Sequence, residues 1–280
     1  MRKLLAIFVV LSFSTARAQE KDSATVLSVA AVSLLPAAGM TAIIVLNQNA
    51  FWRYATAVPF HISNDPPYAM HIDKFSHLYV SAIGSDGMRA SYQLAGLSEG
   101  TSAWLGAGLS LACSFAIEME DARHGDDPQY GFSPGDLAGD IIGSALPVLR
   151  HYYPVLERIE TKISIWPSRA YKENQYKTIA DDYESQYYWL SADLHDWTPL
   201  PKWLNLALGF GCENLRLAKY AVPSPYGSPY TDLYLSPDIN LKGLPIDGPV
   251  WKTIASILSY VRIPMPALQF YPRLKVWAFR

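Results

Sequence analysis

Cysteine is almost absent. The 280 residues hold two, Cys113 and Cys212, and no second cysteine lies near either of them. That excludes a thiolate zinc site, which needs ligands in clusters. In an exported chain the two could pair, and the apolar context of each suits two buried thiols equally well, so both states stay open. Charge is also scarce, at 17% of residues, with 23 Lys and Arg against 25 Asp and Glu. A chain without a basic surplus lacks the electrostatic footprint that nucleic acid requires, so nucleic acid is not an expected partner. No H-E-x-x-H zinc helix is present, which removes one familiar hydrolase signature.

What the chain has in quantity is apolar and aromatic surface. Half of its residues are hydrophobic, with 8 Trp and 18 Tyr. Trp and Tyr concentrate where protein meets the lipid headgroup layer, so membrane lipid is an expected partner. An envelope protein docking on exposed aromatics is a second.

The first 18 residues read as a signal peptide. Arg2 and Lys3 precede the apolar run "LLAIFVVLSF", and "ARA" before Gln19 is a small-residue cleavage site near Ala18. The expected location is therefore the cell envelope, in the outer membrane or periplasm. Gln19 stands where a lipoprotein would carry cysteine, so no lipid anchor is expected at that cut. Loss of Arg2, Lys3 and Arg17 with the leader takes the formal charge from −2 to −5.

Residues 26–46 form an uncharged stretch long enough to cross a bilayer, with Pro36 and Gly39 as kink points. A helix buried within a bundle fits them as well. A turn follows at Asn64, Asp65, Pro66 and Pro67. Helices are predicted over about 71–85, 100–122 and 133–146. Ser133 caps the last of these, Pro134 takes its first position, and Asp136 supplies the capping-box acid. The segment "VLERIETKISIW" reads as a short helix or a strand. Beyond Tyr183 the period becomes two. Leu204, Leu206, Leu208, Phe210 and Cys212 alternate with smaller or polar residues, as do Leu233, Leu235, Ile239 and Leu241. This pattern predicts four or five half-buried strands with one apolar face. "VWKTIASILSYV" between the last two reads as an amphipathic helix.

The fold class is thus α+β, a bundle of apolar helices followed by an antiparallel, strand-rich region. The expected division is a signal peptide over 1–18, a helical core over 19–160, and a strand-rich region over 161–280 packed on the helices.

Three apolar helices each carry a pair of titratable groups at helical spacing: Asp73 with His77, Glu118 with Asp121, and Asp136 with Asp140. Lys74 adjoins the first pair. Packed together, the helices could gather these groups into one cluster. A His beside an Asp can serve as a base, which makes His77 and Asp73 the candidate catalytic pair. Glu118, Asp121 and Asp140 are candidate ligands for a divalent metal, since like charges raise one another's pKa unless a cation intervenes. The structural reading of the same groups is a polar network that sets helix register, supported by Lys74, Ser133, Asp136 and Gly143.

The blocks "IDKFSHLY", "EMED" and "GFSPGDLAGDIIGSA" resemble the DUF2279 family of predicted periplasmic or outer-membrane lipoproteins. Asp73, Lys74 and His77 match its first motif, Glu118 and Asp121 its second, and Gly131, Ser133, Asp136, Asp140 and Gly143 its third. Longer members from Bacteroidetes-type bacteria look similar over nearly the whole mature chain. Ser76 stands where the family usually has glycine. The resemblance implies an envelope compartment and a shared helical core, with no activity to transfer. The expectation is an exported, outer-membrane-associated envelope protein whose buried Asp/His/Glu cluster is structural. The alternative is a small membrane-embedded hydrolase, metal-dependent or not, acting on lipid or cell-wall precursors.

Overall fold

The computed structural model describes residues 28, 30–34, 38, 57–63, 68–124, 131–174, 182–215 and 227–280. The signal peptide, the turn at Asn64 to Pro67 and most of the 26–46 stretch lie outside the described residues. Within that stretch, residues 28, 30–34 and 38 are helical. The chain divides into two compact units. One holds residues 1–66 and 77–153, the other 67–76 and 154–280.

The helical unit is built on three helices: α1 (Ile72–Leu94), whose first residues belong to the other unit, α2 (Glu99–Asp121) and α3 (Pro134–Tyr152). The predicted start of α3 is present as read, with the Ser133 hydroxyl accepting from the Asp136 amide at 3.0 Å and Pro134 in the first turn. Two ends differ from the sequence expectation. α1 runs nine residues past Ser85, because Ser85 and Asp86 lie in the interior and do not mark an exposed end. α3 continues through Pro147 to Tyr152; the missing proline N–H removes one rung of the helix without ending it.

Small and hydroxylated side chains fill the space between these helices. Ser81, Ser85, Ser102, Ser110, Ser114 and Ser144 are buried, while Val80, Trp104, Phe115, Ile141 and Ile142 are exposed. Ser85 donates to the Ser144 carbonyl at 2.8 Å and Ser110 to the Ser81 carbonyl at 2.9 Å. Backbones approach closely where glycine permits it, as at Gly106 against Ser85 and Arg89, and at Gly143 against Leu78 and Ala82. α2 is long and apolar enough to cross a membrane by length and composition, a property that core helices of soluble proteins share.

The second unit is a six-stranded antiparallel meander in which each strand pairs with its sequence neighbour: β1 (Ile159–Ile165), β2 (Gln186–Ala192), β3 (Leu204–Glu213), β4 (Tyr230–Ile239), β5 (Ala267–Tyr271) and β6 (Lys275–Trp277). The ambiguous "VLERIETKISIW" resolves into a 3-10 turn and β1, and the last predicted strand splits in two around Pro272. Helix α4 (Arg169–Lys172) follows β1, and α5 (Pro249–Leu258) is the expected amphipathic helix. Beyond α5, residues 260–262 return to β1, with the Ile163 amide donating to the Tyr260 carbonyl and the Arg262 amide to the Ile163 carbonyl.

The alternation along the strands is as read, but the faces are reversed. The face that carries the leucines is the exposed one, while the buried face packs an aromatic core of Tyr187, Trp189 and Tyr234. Leu208 is 54% exposed and Leu190 49%, while Lys162 is 2% and Asp238 0% exposed. The buried face holds a connected polar network. Lys162 donates to Asp238 at 2.6 Å and pairs with Glu160 at 3.1 Å; Ser191 donates to Asp238 at 2.6 Å, and Asn205 to Ser191 at 3.0 Å. The Arg262 guanidinium stacks 3.7 Å over Trp189, and Arg280 lies over Trp277 and donates to the Tyr187 hydroxyl at 2.7 Å. Part of the outer face is covered within this unit by Phe75, whose ring stacks on Phe210 at 4.4 Å. Both cysteines are free thiols, Cys212 buried and Cys113 partly exposed.

Candidate polar site in the helical unit

One residue from each of the three helices meets at a point. The His77 Nδ1 of α1 lies 3.2 Å and 3.3 Å from the two carboxylate oxygens of Asp140 on α3, and 3.7 Å from Glu118 Oε1 on α2. The ligand-type atoms of His77, Glu118 and Asp140 all fall within 4.8 Å of one another. Helix geometry puts them there. Asp140 and Gly143 are three apart on α3, so the close approach of α3 to α1 at Gly143 brings the Asp140 carboxylate level with His77.

Each carboxylate is fixed from behind. The Ser81 hydroxyl donates to Asp140 Oδ1 at 2.7 Å and lies 2.8 Å from the Ser114 hydroxyl; the Ser133 amide donates to Glu118 Oε2 at 3.0 Å. Glu118 and Asp140 are each 1% exposed, whereas the His77 side chain is 27% exposed. Among the described residues, the hydrogen bonds of His77 run through Nδ1.

Burial opposes a charge on His77. The hydrogen bond to Asp140 and the negative charges of Asp136, Asp140 and Glu118 outweigh it and raise the pKa from 6.5 to about 9. Burial pushes Glu118 from 4.5 up to about 8, against the favourable charge of His77 and the Ser133 amide, with Asp136 and Asp121 adding to the rise. Both groups therefore bind a proton more tightly in the fold than in the unfolded chain. Glu118 contributes stability that is complete below 4.5 and lost through about 8; His77 contributes stability that is complete below 6.5 and lost through about 9. In chelator-treated protein, the helical melting temperature is expected to fall steadily between about pH 5 and about pH 9. A flat or rising profile by circular dichroism would contradict this account of the cluster.

The structure brings together some of the sequence candidates and separates others. His77, Glu118 and Asp140 converge. The Asp73 carboxylate is held by Lys74 at 3.0 Å, and the acid that engages His77 is Asp140. Asp121 and Asp136 act on the site through their charge. Ser133 orients Glu118 as well as capping α3. Sequence reasoning missed Ser81 and Ser114. Each lies four residues from a site residue, Ser81 after His77 and Ser114 before Glu118, and that spacing was the available signal.

Residues 64–152 match the DUF2279 family, described as a predicted periplasmic lipoprotein. The match takes in α1, α2 and α3 with every residue of the site, and the family's description is that of a cell-envelope protein. No curated protein and no solved structure matches the chain.

Proposed function

We propose that this chain is an exported envelope protein that rests against the outer membrane, with the outward face of its sheet in contact with lipid. The observation that carries this reading is the outward exposure of the leucines on β2 to β4 above a buried face that holds Lys162 and Asp238. In water a sheet turns its leucines inward and its charges outward; a sheet facing lipid does the opposite. Fully burying a leucine side chain is worth about 1.5–3 kcal/mol, and Leu190, Leu206, Leu208 and Leu235 all forgo part of that gain unless something apolar covers them.

The edges of the band suit a headgroup layer. Exposed aromatics stand at both strand ends, Trp166 and Tyr271 at one and Trp197 and Trp203 at the other. Exposed cations accompany them, Lys202 beside Trp203 and Arg273 and Lys275 in the β5–β6 region, which complements lipid phosphates. In the helical unit, the His77 cluster ties α1, α2 and α3 together, a structural role in which each helix contributes one polar group.

Flotation with vesicles of anionic phospholipid tests the lipid contact. The wild-type chain is expected to float, and the double variant Leu206→Asp, Leu208→Asp to remain at the bottom with an unchanged circular dichroism spectrum. Both leucines point away from the polar network, so folding survives the change. A wild-type protein recovered free of membrane, or a double variant that floats like wild type, would refute the proposal.

A further inference from the structure

We propose that His77, Glu118 and Asp140 bind one divalent first-row metal ion, of the zinc class, at the junction of the three helices. The inference is independent of the lipid reading: failure of metal binding would leave vesicle flotation untouched, and the reverse holds too.

The donor set comes first. An imidazole nitrogen with two carboxylates suits Zn2+ and its first-row neighbours, whereas an all-oxygen set would favour Mg2+ or Ca2+. The spacing follows. Ligands bound at roughly 2.0–2.2 Å in a tetrahedral shell sit about 3.3–3.6 Å apart. Here Nδ1 is 3.2 Å from Asp140 Oδ1 and 3.7 Å from Glu118 Oε1. The two carboxylates lie within 4.8 Å of one another, so sharing one ion draws them together by up to about an ångström.

A further observation points to a ligand and not merely to an ion pair. Glu118 is 1% exposed and its Oε2 takes the Ser133 amide, while Oε1 faces His77 Nδ1 at 3.7 Å, beyond hydrogen-bond reach, with no closer donor among the described residues. A carboxylate oxygen so weakly engaged inside the bundle is costly, and a cation at the shared point would satisfy it. The supporting contacts are also those of a metal site. Ligating carboxylates are held by outer hydrogen bonds that fix their direction, and Asp140 has the Ser81 hydroxyl while Glu118 has the Ser133 amide. With three protein ligands and His77 partly exposed, a fourth position is left for water.

Isothermal titration of the full chain in detergent, first stripped with chelator and then titrated with ZnCl2, decides the matter. One equivalent is expected to bind. His77→Gln and Asp140→Asn should each abolish that binding. Ser81→Ala, which touches no metal, should weaken affinity about 10- to 100-fold by releasing the Asp140 carboxylate. Circular dichroism melts keep the test clean, and Asp140→Asn retains the acceptor for Ser81, so a folded non-binding variant is expected. His124→Gln controls for the surface pair of His124 with Glu120 and should bind as wild type. Absence of a zinc equivalent in the folded wild-type chain, or wild-type affinity in folded Asp140→Asn, would overturn the inference.

Discussion

Gly143→Ala is expected to cost the helical unit about 3 kcal/mol or more and to lower its melting temperature sharply. A β-carbon on Gly143 would overlap the carbonyl oxygen of Leu78, and would lie 2.9 Å from the Leu78 carbonyl carbon and 3.0 Å from the Ala82 nitrogen. All three atoms are backbone in the middle of α1, so no rotamer change relieves the overlap. The helices must separate, and Asp140, one turn earlier on the same face, is drawn off His77. The informative comparison is Gly108→Ala on α2, where an added β-carbon meets nothing within 4 Å. That change replaces the poorest ordinary helix former with the best, and should stabilise by about 0.5–1 kcal/mol. Equal effects in thermal melts of the two variants would show that the α1–α3 approach is not as close as described.

Asp238→Ala should be the most damaging single change in the sheet unit, at about 3–5 kcal/mol. Asp238 is fully buried and accepts from Lys162 at 2.6 Å and Ser191 at 2.6 Å, with the Arg262 Nε at 3.7 Å. Removing it leaves Lys162 buried with Glu160 as its remaining carboxylate. Most of the expected cost comes from taking the shared carboxylate away from Lys162 and Arg262, both buried, not from the pair's intrinsic strength. The double variant Asp238→Leu, Lys162→Met should therefore recover much of the loss, since a buried pair replaced by apolar residues of similar size is often neutral or better. Denaturant titrations of the single and double variants measure this directly. A double variant no more stable than Asp238→Ala would mean that the network is held by something other than this pair.

These two residues also show what the sequence disclosed. Gly143 and the Ser133 cap of α3 were legible because capping and small-residue packing are local signals with few alternatives. Asp238 was legible only as a member of an alternating strand. A period of two tells which residues share a face but not which face is covered, and charges ordinarily face water. The reversal becomes visible only when Lys162, Ser191 and Asn205 are seen to surround it from two other strands. The same limit applies to His77. Helical spacing displays neighbours on one helix, which favoured Asp73, while the acid it binds comes from a helix 63 residues later.

The return of residues 260–262 to β1 bears on how the protein behaves in a crowd. β1 is an outermost strand with isoleucines at 159, 163 and 165, the kind of edge on which a second chain can lay a strand and start a growing stack. The backbone of Ile163 is already engaged in both directions by Tyr260 and Arg262, so that template is closed at its centre. The opposite edge, β6, is three residues long and carries Lys275, too short and too charged to recruit a partner. Self-association by strand addition is blocked at both margins, which lets many copies stand side by side without knitting into fibres.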